Sequence, residues 1–233
     1  SVRRKIMTYK NIIKAVFIDR PNRFIARCEI NEQVETVHVK NTGRCKELLI
    51  PGTTVFLEKF NAQTRKTNYD LISVIKGNRI INIDSQAPNK IFLEWAKSGK
   101  FLPDILLIKP EYRFLNSRFD FYIETPFKKI FIEIKGATLE NNGVVMFPDA
   151  PTQRGLKHIS ELIEVKKKGY EAYIIFVIQM ENAKYFMPNY ITHKAFADKL
   201  KECDDNGVNV AAFDTIVTEK SIVLNNEVEV RYM

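Results

Sequence analysis

Short runs in which apolar and polar residues alternate, each closed by turn-forming residues, fill the first third of the chain. They span 15–19, 24–30, 34–40, 53–60, 71–76 and 79–83, and each predicts a short strand. Gly77-Asn78 and Asn31-Glu32 are two-residue turns between neighbouring runs. Residues 46–49 read as a single helical turn. Five or six short strands in 84 residues, with no long helix among them, predict a small closed barrel of the OB type.

Beyond Asp84 the period lengthens. Ile91, Phe92, Trp95 and Ala96 fall on one face of a helix over 88–98, with Pro88 at its start and Gly99 past its end. Strand-like runs at 112–115 extending into 119–124, then 130–135, then 144–147 predict a meander, with Asn142-Gly143 as the tight turn before the last. A second helix over 152–168 turns Leu156, Ile159, Leu162 and Ile163 inward and stops at Gly169, and an apolar strand follows at 173–178. A helix over 194–203 and strands at 208–213 and 221–224 complete the pattern. The expected organisation is an OB-fold-like barrel over 1–84 followed by an α/β (α+β) domain over 85–233.

Composition narrows the function classes. With 45% hydrophobic and 27% charged residues, the 233-residue chain has the profile of a folded domain rather than a disordered or fibrous one. Its apolar runs, such as 173–178, fall well short of the roughly 20 residues of a membrane helix, so no membrane partner is expected. Arg3-Arg4-Lys5 is basic, but Lys14 interrupts the apolar run after it, which argues against a secretory leader. The three cysteines Cys28, Cys45 and Cys203 lack a metal-binding spacing and are odd in number, which fits a reducing, cytoplasmic location.

Charge adds a partner. The net charge is +8, and its distribution is uneven: 16 Lys and Arg against 8 Asp and Glu in 1–84, then 20 against 20 in the remainder. A basic module beside a neutral one predicts that the first grips a polyanion, nucleic acid, by releasing its counterions. The plainer alternative is a well-solvated basic surface.

Candidate chemistry lies on two of the strands. Alternation puts Phe119, Phe121 and Ile123 on one face and Asp120 on the other, and it puts Glu133 and Lys135 together between Ile132 and Ile134. If the two runs pair around 125–128, Asp120 and Glu133 converge with Lys135 beside them. Two carboxylates suit a hard cation such as Mg2+ or Mn2+, which prefers oxygen ligands and retains waters. Lys135 would then orient the attacking water or meet developing negative charge. Glu164-Val165-Lys166 repeats the acid-x-Lys triplet on a helix, where i and i+2 diverge, and serves as a decoy. Arg154, His158 and Glu161 share a helix face that could meet a phosphate, and Glu94 is an optional third carboxylate. Asn41, Thr42 and Arg44, around Gly43, form a candidate nucleic-acid-contacting loop, with a plain glycine turn as the alternative. An ion-paired trio closing a sheet edge is the structural alternative for Asp120, Glu133 and Lys135.

Three stretches carry a resemblance across nearly the whole chain. Asn41-Thr42-Gly43-Arg44 is followed by Glu47-Leu48-Leu49 and Pro51-Gly52; Ser117-Arg118-Phe119-Asp120-Phe121 is followed by Glu133-Ile134-Lys135; and Phe147-Pro148-Asp149-Ala150-Pro151-Thr152 is followed by Arg154-Gly155 and His158. Together they resemble the sugar fermentation stimulation protein A family. The resemblance implies an OB-fold joined to a PD-(D/E)xK restriction-endonuclease-like domain, with DNA as partner and a link to regulation of sugar metabolism. It implies Asp120 and Glu133 as metal ligands and Lys135 as catalytic lysine, with Phe119 where the motif's name has proline. The expected function is DNA binding with a magnesium-dependent phosphodiesterase site. A binding-only regulator with a non-cleaving nuclease-like fold is the rival, and a structural or protein-binding barrel is a third reading. Oligomeric state leaves no mark on the sequence.

Overall fold

Six strands form the first sheet, and five of them close into a barrel. The structure is a computed structural model describing residues 6–61 and 64–233, so Arg3–Lys5 lie outside the described residues. After β1 (Met7–Thr8) come β2 (Ile12–Asn22), β3 (Ile25–Ile30), β4 (Gln33–Val39), β5 (Thr54–Lys59), β6 (Tyr69–Lys76) and β7 (Arg79–Asn82). They line up as β4-β3-β2-β5-β6-β7, and a parallel β4–β6 pairing, His38↔Asp70 and Val39↔Leu71, closes the first five into a barrel. Asn31 and Glu32 both hold positive φ between β3 and β4, the backbone that a tight two-residue hairpin requires. The inward set, Phe17, Ala26, Cys28, Val37, Val55, Leu57, Leu71 and Val74, is fully buried. Each large member contributes about 1.5–3 kcal/mol.

Helix α1 (Ala87–Lys97) then leads into β8 (Leu107–Phe114), β9 (Ser117–Glu124), β10 (Lys129–Ala137), β11 (Leu139–Asn141), β12 (Val144–Phe147), α2 (Gln153–Lys167), β13 (Glu171–Ile178), β14 (Tyr185–Pro188), α3 (Tyr190–Asp205), β15 (Asn209–Thr218) and β16 (Ser221–Val228). The main sheet runs β1-β16-β15-β13-β10-β9-β8, with β10, β13 and β15 parallel at its centre. Strands buried on both faces explain the unbroken apolar run of β13. One face packs on α1, with Phe92 and Phe121 ring centroids 5.1 Å apart. The other packs on α2 and α3 through Ile159, Leu162, Phe196 and Leu200, and these belong to the same cluster as the barrel core. β1, although it lies in the first 84 residues, pairs with β16 of this second sheet.

Three expectations need correction. Val144–Phe147 does not continue the meander: β12 forms a separate sheet, β11-β12-β14, and the outer meander strand is β8. Most of β8 is missed in the sequence because Pro110 interrupts it; an edge strand tolerates the lost N–H, and Pro188 in edge strand β14 hides it in the same way. Phe119 also leaves the side assigned to it. It packs on Phe131 at 5.4 Å toward α2, whereas Phe121 packs toward α1, so β9 changes sides at Asp120.

The barrel and the second unit are joined by polar contacts. Gln179 donates from Nε2 to Asn82 Oδ1 (2.8 Å) and to the Asp84 carbonyl (3.0 Å). Buried Glu140 accepts from Lys76 Nζ at 2.7 Å and pairs with Arg79 at 2.9 Å. Asp149 Oδ2 accepts the Arg44 N–H at 2.9 Å.

Candidate active site

The β9–β10 hairpin pairs from Lys129↔Glu124 to Ile132↔Phe121 and stops one step short of Asp120 and Glu133. There the Asp120 carboxylate replaces a strand carbonyl: Oδ2 accepts the Ile134 N–H at 2.7 Å, and Oδ1 accepts Asn89 Nδ2 from the first turn of α1 at 2.8 Å. The parting of the strands therefore leaves a carboxylate pair at the end of the ladder, held by backbone and helix rather than by chance rotamers.

Glu133 is 2% exposed. Its Oε1 accepts Lys135 Nζ at 2.6 Å and lies hydrogen-bonded to His158 Nδ1 of α2. Since a carboxylate oxygen accepts, that ring nitrogen carries the proton. Burial pushes the Glu133 carboxyl up, but the His158 hydrogen bond and the Lys135 charge outweigh it and hold the group below its ordinary range. Asp120 goes the other way: burial, then the Glu133 charge, raise it, against the opposing Ile134 N–H, Lys135 and Asn89. Neighbouring carboxyls pushed in opposite directions occur at functional sites and in structural ion-pair networks alike.

One buried oxygen here, Glu133 Oε2, has no hydrogen-bond partner. A buried carboxylate oxygen without a donor is costly, and a cation would satisfy it. The residues thus fit a hard divalent ion with Asp120 and Glu133 as ligands. Among the described residues no three His, Cys, Asp or Glu side chains are grouped so as to hold a metal ion.

The structure sorts the other candidates. His158 joins the trio, while Arg154, one turn earlier, is exposed on α2. Glu94 sits half-buried further along α1, and the α1 residue that reaches Asp120 is Asn89, which no sequence signal marked. The decoy is spoken for, with Lys166 on Glu171 at 2.7 Å and Glu164 on Lys167 at 2.8 Å. In the loop at 41–44, Arg20 donates to the carbonyls of Gly43 (2.8 Å), Arg44 (2.9 Å) and Asn41 (2.6 Å), and Asn41 Oδ1 accepts the Gly43 N–H (2.7 Å). A Cβ on Gly43 would sit 2.8 Å from Asp149 Oδ2, so glycine is what lets the loop close on the second unit. Thr42 and Arg44 remain exposed.

Comparison with known proteins fits both halves. Residues 18–83 match the family described as SfsA N-terminal OB domain, and residues 86–221 match the family described as Sugar fermentation stimulation protein RE domain. The chain belongs to the sugar fermentation stimulation protein family. A family homolog from Clostridium beijerinckii is 58% identical over 224 residues, covering 96% of this chain and 99% of its own. One from Ruminiclostridium cellulolyticum is 58% identical over 225 residues, covering 97% and 100%. The solved structure of Pyrococcus furiosus SfsA in complex with Ca2+ superposes with a TM-score of 0.89 at 30% identity, covering 97% of this chain and 98% of that one. The family fold is therefore an OB barrel followed by a restriction-endonuclease-like domain, a combination that supports nucleic-acid binding. No helix among the described residues is long and apolar enough to cross a membrane.

Proposed function

We propose that this chain binds DNA through its barrel and hydrolyses a phosphodiester at a Mg2+- or Mn2+-dependent site formed by Asp120, Glu133 and Lys135. The observation that carries the reading is the convergence of Asp120 and Glu133 at the end of the β9–β10 ladder, with Glu133 Oε2 buried and unpartnered and Lys135 Nζ 2.6 Å from the other oxygen. Ca2+ in the Pyrococcus furiosus relative supports a divalent ion in this fold.

Asp120 and Glu133 would hold the ion. Once bound, it supplies a Lewis acid for a phosphoryl oxygen and lowers the pKa of an attacking water. Ile134 N–H and Asn89 keep the Asp120 carboxylate aimed, and His158 keeps Glu133 ionised and oriented. Lys135 presents its charge where negative charge grows on the phosphoryl oxygens. The barrel's Lys10, Lys14, Arg23, Arg44, Lys46, Lys59 and Lys66 form no ion pair among the described residues and are the side chains for the nucleic-acid backbone. Arg23 lies over Phe24 at 4.7 Å, a basic and aromatic pairing suited to a base and its phosphate. The three buried cysteines Cys28, Cys45 and Cys203 are free thiols, which fits residence in a reducing cytoplasm. Control of sugar metabolism, implied by the family's name, would act through the nucleic acid bound.

The test is incubation of native protein and Lys135→Ala with single- and double-stranded DNA and RNA, with and without Mg2+ or Mn2+. Metal-dependent cleavage of DNA by native protein alone supports the assignment. Binding without cleavage of any substrate replaces it with the binding-only regulator.

A further inference from the structure

The two motifs that the catalytic trio leaves unexplained, 41–44 and 147–152, meet across a cleft between the barrel and the second unit. Its volume is about 330 Å³. That lies at the lower end of the about 300–1,000 Å³ typical of ligand pockets, room for a single nucleoside. Gly136 forms part of its wall and directly follows Lys135 in β10, so the cleft lies at the same end of that strand as the catalytic lysine.

Its lining divides sharply by chemistry. Asn41, Thr42 and Thr138 supply neutral hydrogen-bonding groups, Met146 and Ala150 supply apolar surface, and Asp149 is the only charged side chain among the lining residues. A phosphate is unwelcome beside a lone carboxylate. A flat neutral ring with amino hydrogens suits it. Asp149 Oδ2 is taken by the Arg44 N–H, leaving Oδ1 for a ligand donor. Both walls are also held before any ligand arrives: Arg20 ties three carbonyls of the 41–44 loop, Asn189 Nδ2 donates to the Pro148 carbonyl at 3.0 Å, and the Thr152 N–H donates to His193 at 3.2 Å. Such preorganisation favours recognition over simple packing.

We propose that this interdomain cleft receives one unpaired base of the nucleic acid, with Asp149 accepting its exocyclic amine, while the adjoining phosphate stays outside at Lys135. The proposal rests on nucleic acid being the substrate class of the neighbouring site. It implies that the protein acts on single strands, strand ends or flipped nucleotides, because a base stacked in a duplex cannot enter a pocket of this size.

The test needs no cleavage. Intact protein is titrated, without divalent metal, with dAMP, dCMP, dGMP and dTMP while the amide NMR signals of Gly43, Thr138 and Asp149 are followed, with inorganic phosphate and glucose as controls. The three amino-bearing nucleotides should shift these signals, and dTMP should need at least about tenfold higher concentration, equivalent to about 1.4 kcal/mol. Ala150→Trp, which fills the cleft, should abolish the shifts. Asp149→Asn keeps an acceptor for Arg44 and should erase the preference for amino-bearing bases. Lys135→Ala should weaken all four nucleotides alike and leave the base preference unchanged. Absence of shifts with every nucleotide, equal shifts with phosphate or glucose, or an unchanged base preference in Asp149→Asn overturns the proposal. Base-selective shifts in a protein that cleaves nothing would sustain the cleft and remove only the catalytic reading.

Discussion

Asp120 accepts the backbone N–H of Ile134 at 2.7 Å, so a side chain takes over the hydrogen bond at the point where the β9–β10 ladder ends. The Asp120 carboxylate is thereby part of the sheet's own bonding. Its charge still costs stability, because burial and the Glu133 charge raise its pKa.

A group with a raised folded pKa binds its proton more readily in the native than in the unfolded state. For a carboxyl this means that the ionised form weakens the fold at neutral pH, and that the penalty disappears as pH falls through the raised value. Metal-free Asp120→Asn should therefore be more stable than native protein at pH 7, by about 0.5–2 kcal/mol, with the gap closing in acid. Urea unfolding at several pH values checks this, and a destabilised Asp120→Asn at pH 7 would contradict it. The same variant and Glu133→Gln should weaken divalent-ion binding in calorimetry while sparing nucleic-acid affinity.

Lys135 and Lys166 occupy the same triplet pattern in different settings. Lys135→Ala should lower any cleavage rate by at least about a hundredfold with binding retained, the scale for losing a positioned electrostatic group. Lys166→Ala, whose lysine pairs with Glu171 on the surface of α2 and β13, should turn over at the native rate. Equal rates for native protein and Lys135→Ala would remove the catalytic role.

Glu140 fastens the barrel to the second unit through Lys76 and Arg79. Burial pushes its carboxyl up, but Lys76, the Gly143 N–H and Arg79 outweigh this and hold it below its ordinary range. A lowered folded pKa contributes stability that is fully present above the unfolded value of about 4.3 and is lost as pH falls through the lowered one. Glu140→Gln should cost about 1.5–3 kcal/mol at pH 7 and much less in strong acid. Denaturant titration at the two pH values reads both effects.

Only part of the barrel's positive charge is available to a ligand. Arg27, Lys40, Arg65, Lys76 and Arg79 are held by Asp19, Asp70, Asp84 and Glu140. Arg20 is occupied by the carbonyls of the 41–44 loop, so seven further described basic side chains outside ion pairs remain, and the log–log salt slope of binding from this part of the barrel should not exceed about 5–6 in magnitude, at 0.7–0.9 per phosphate. Fluorescence anisotropy over a salt series measures it, and a slope near zero would exclude the barrel as the grip.

The sequence alone was sufficient for the features that depend on local periodicity. Alternation of period two located most barrel strands and put Glu133 and Lys135 on one side of a strand, and helical spacing brought out α1 and α2 with their buried faces. What only the tertiary structure decided are relations between segments distant along the chain. Edge strands β8 and β14 carry prolines that a pairing on one side tolerates. Phe119 changes sides because β9 parts from β10 at Asp120. Asn89 reaches Asp120 only through the packing of α1. The cleft joins Asn41 and Thr42 to Asp149, about a hundred residues apart, because Glu140, Gln179 and Asp149 hold the two units together. Local periodicity records which side of an element is buried; it holds no record of which element comes to cover it, since that is settled by the simultaneous packing and hydrogen bonding of the whole chain.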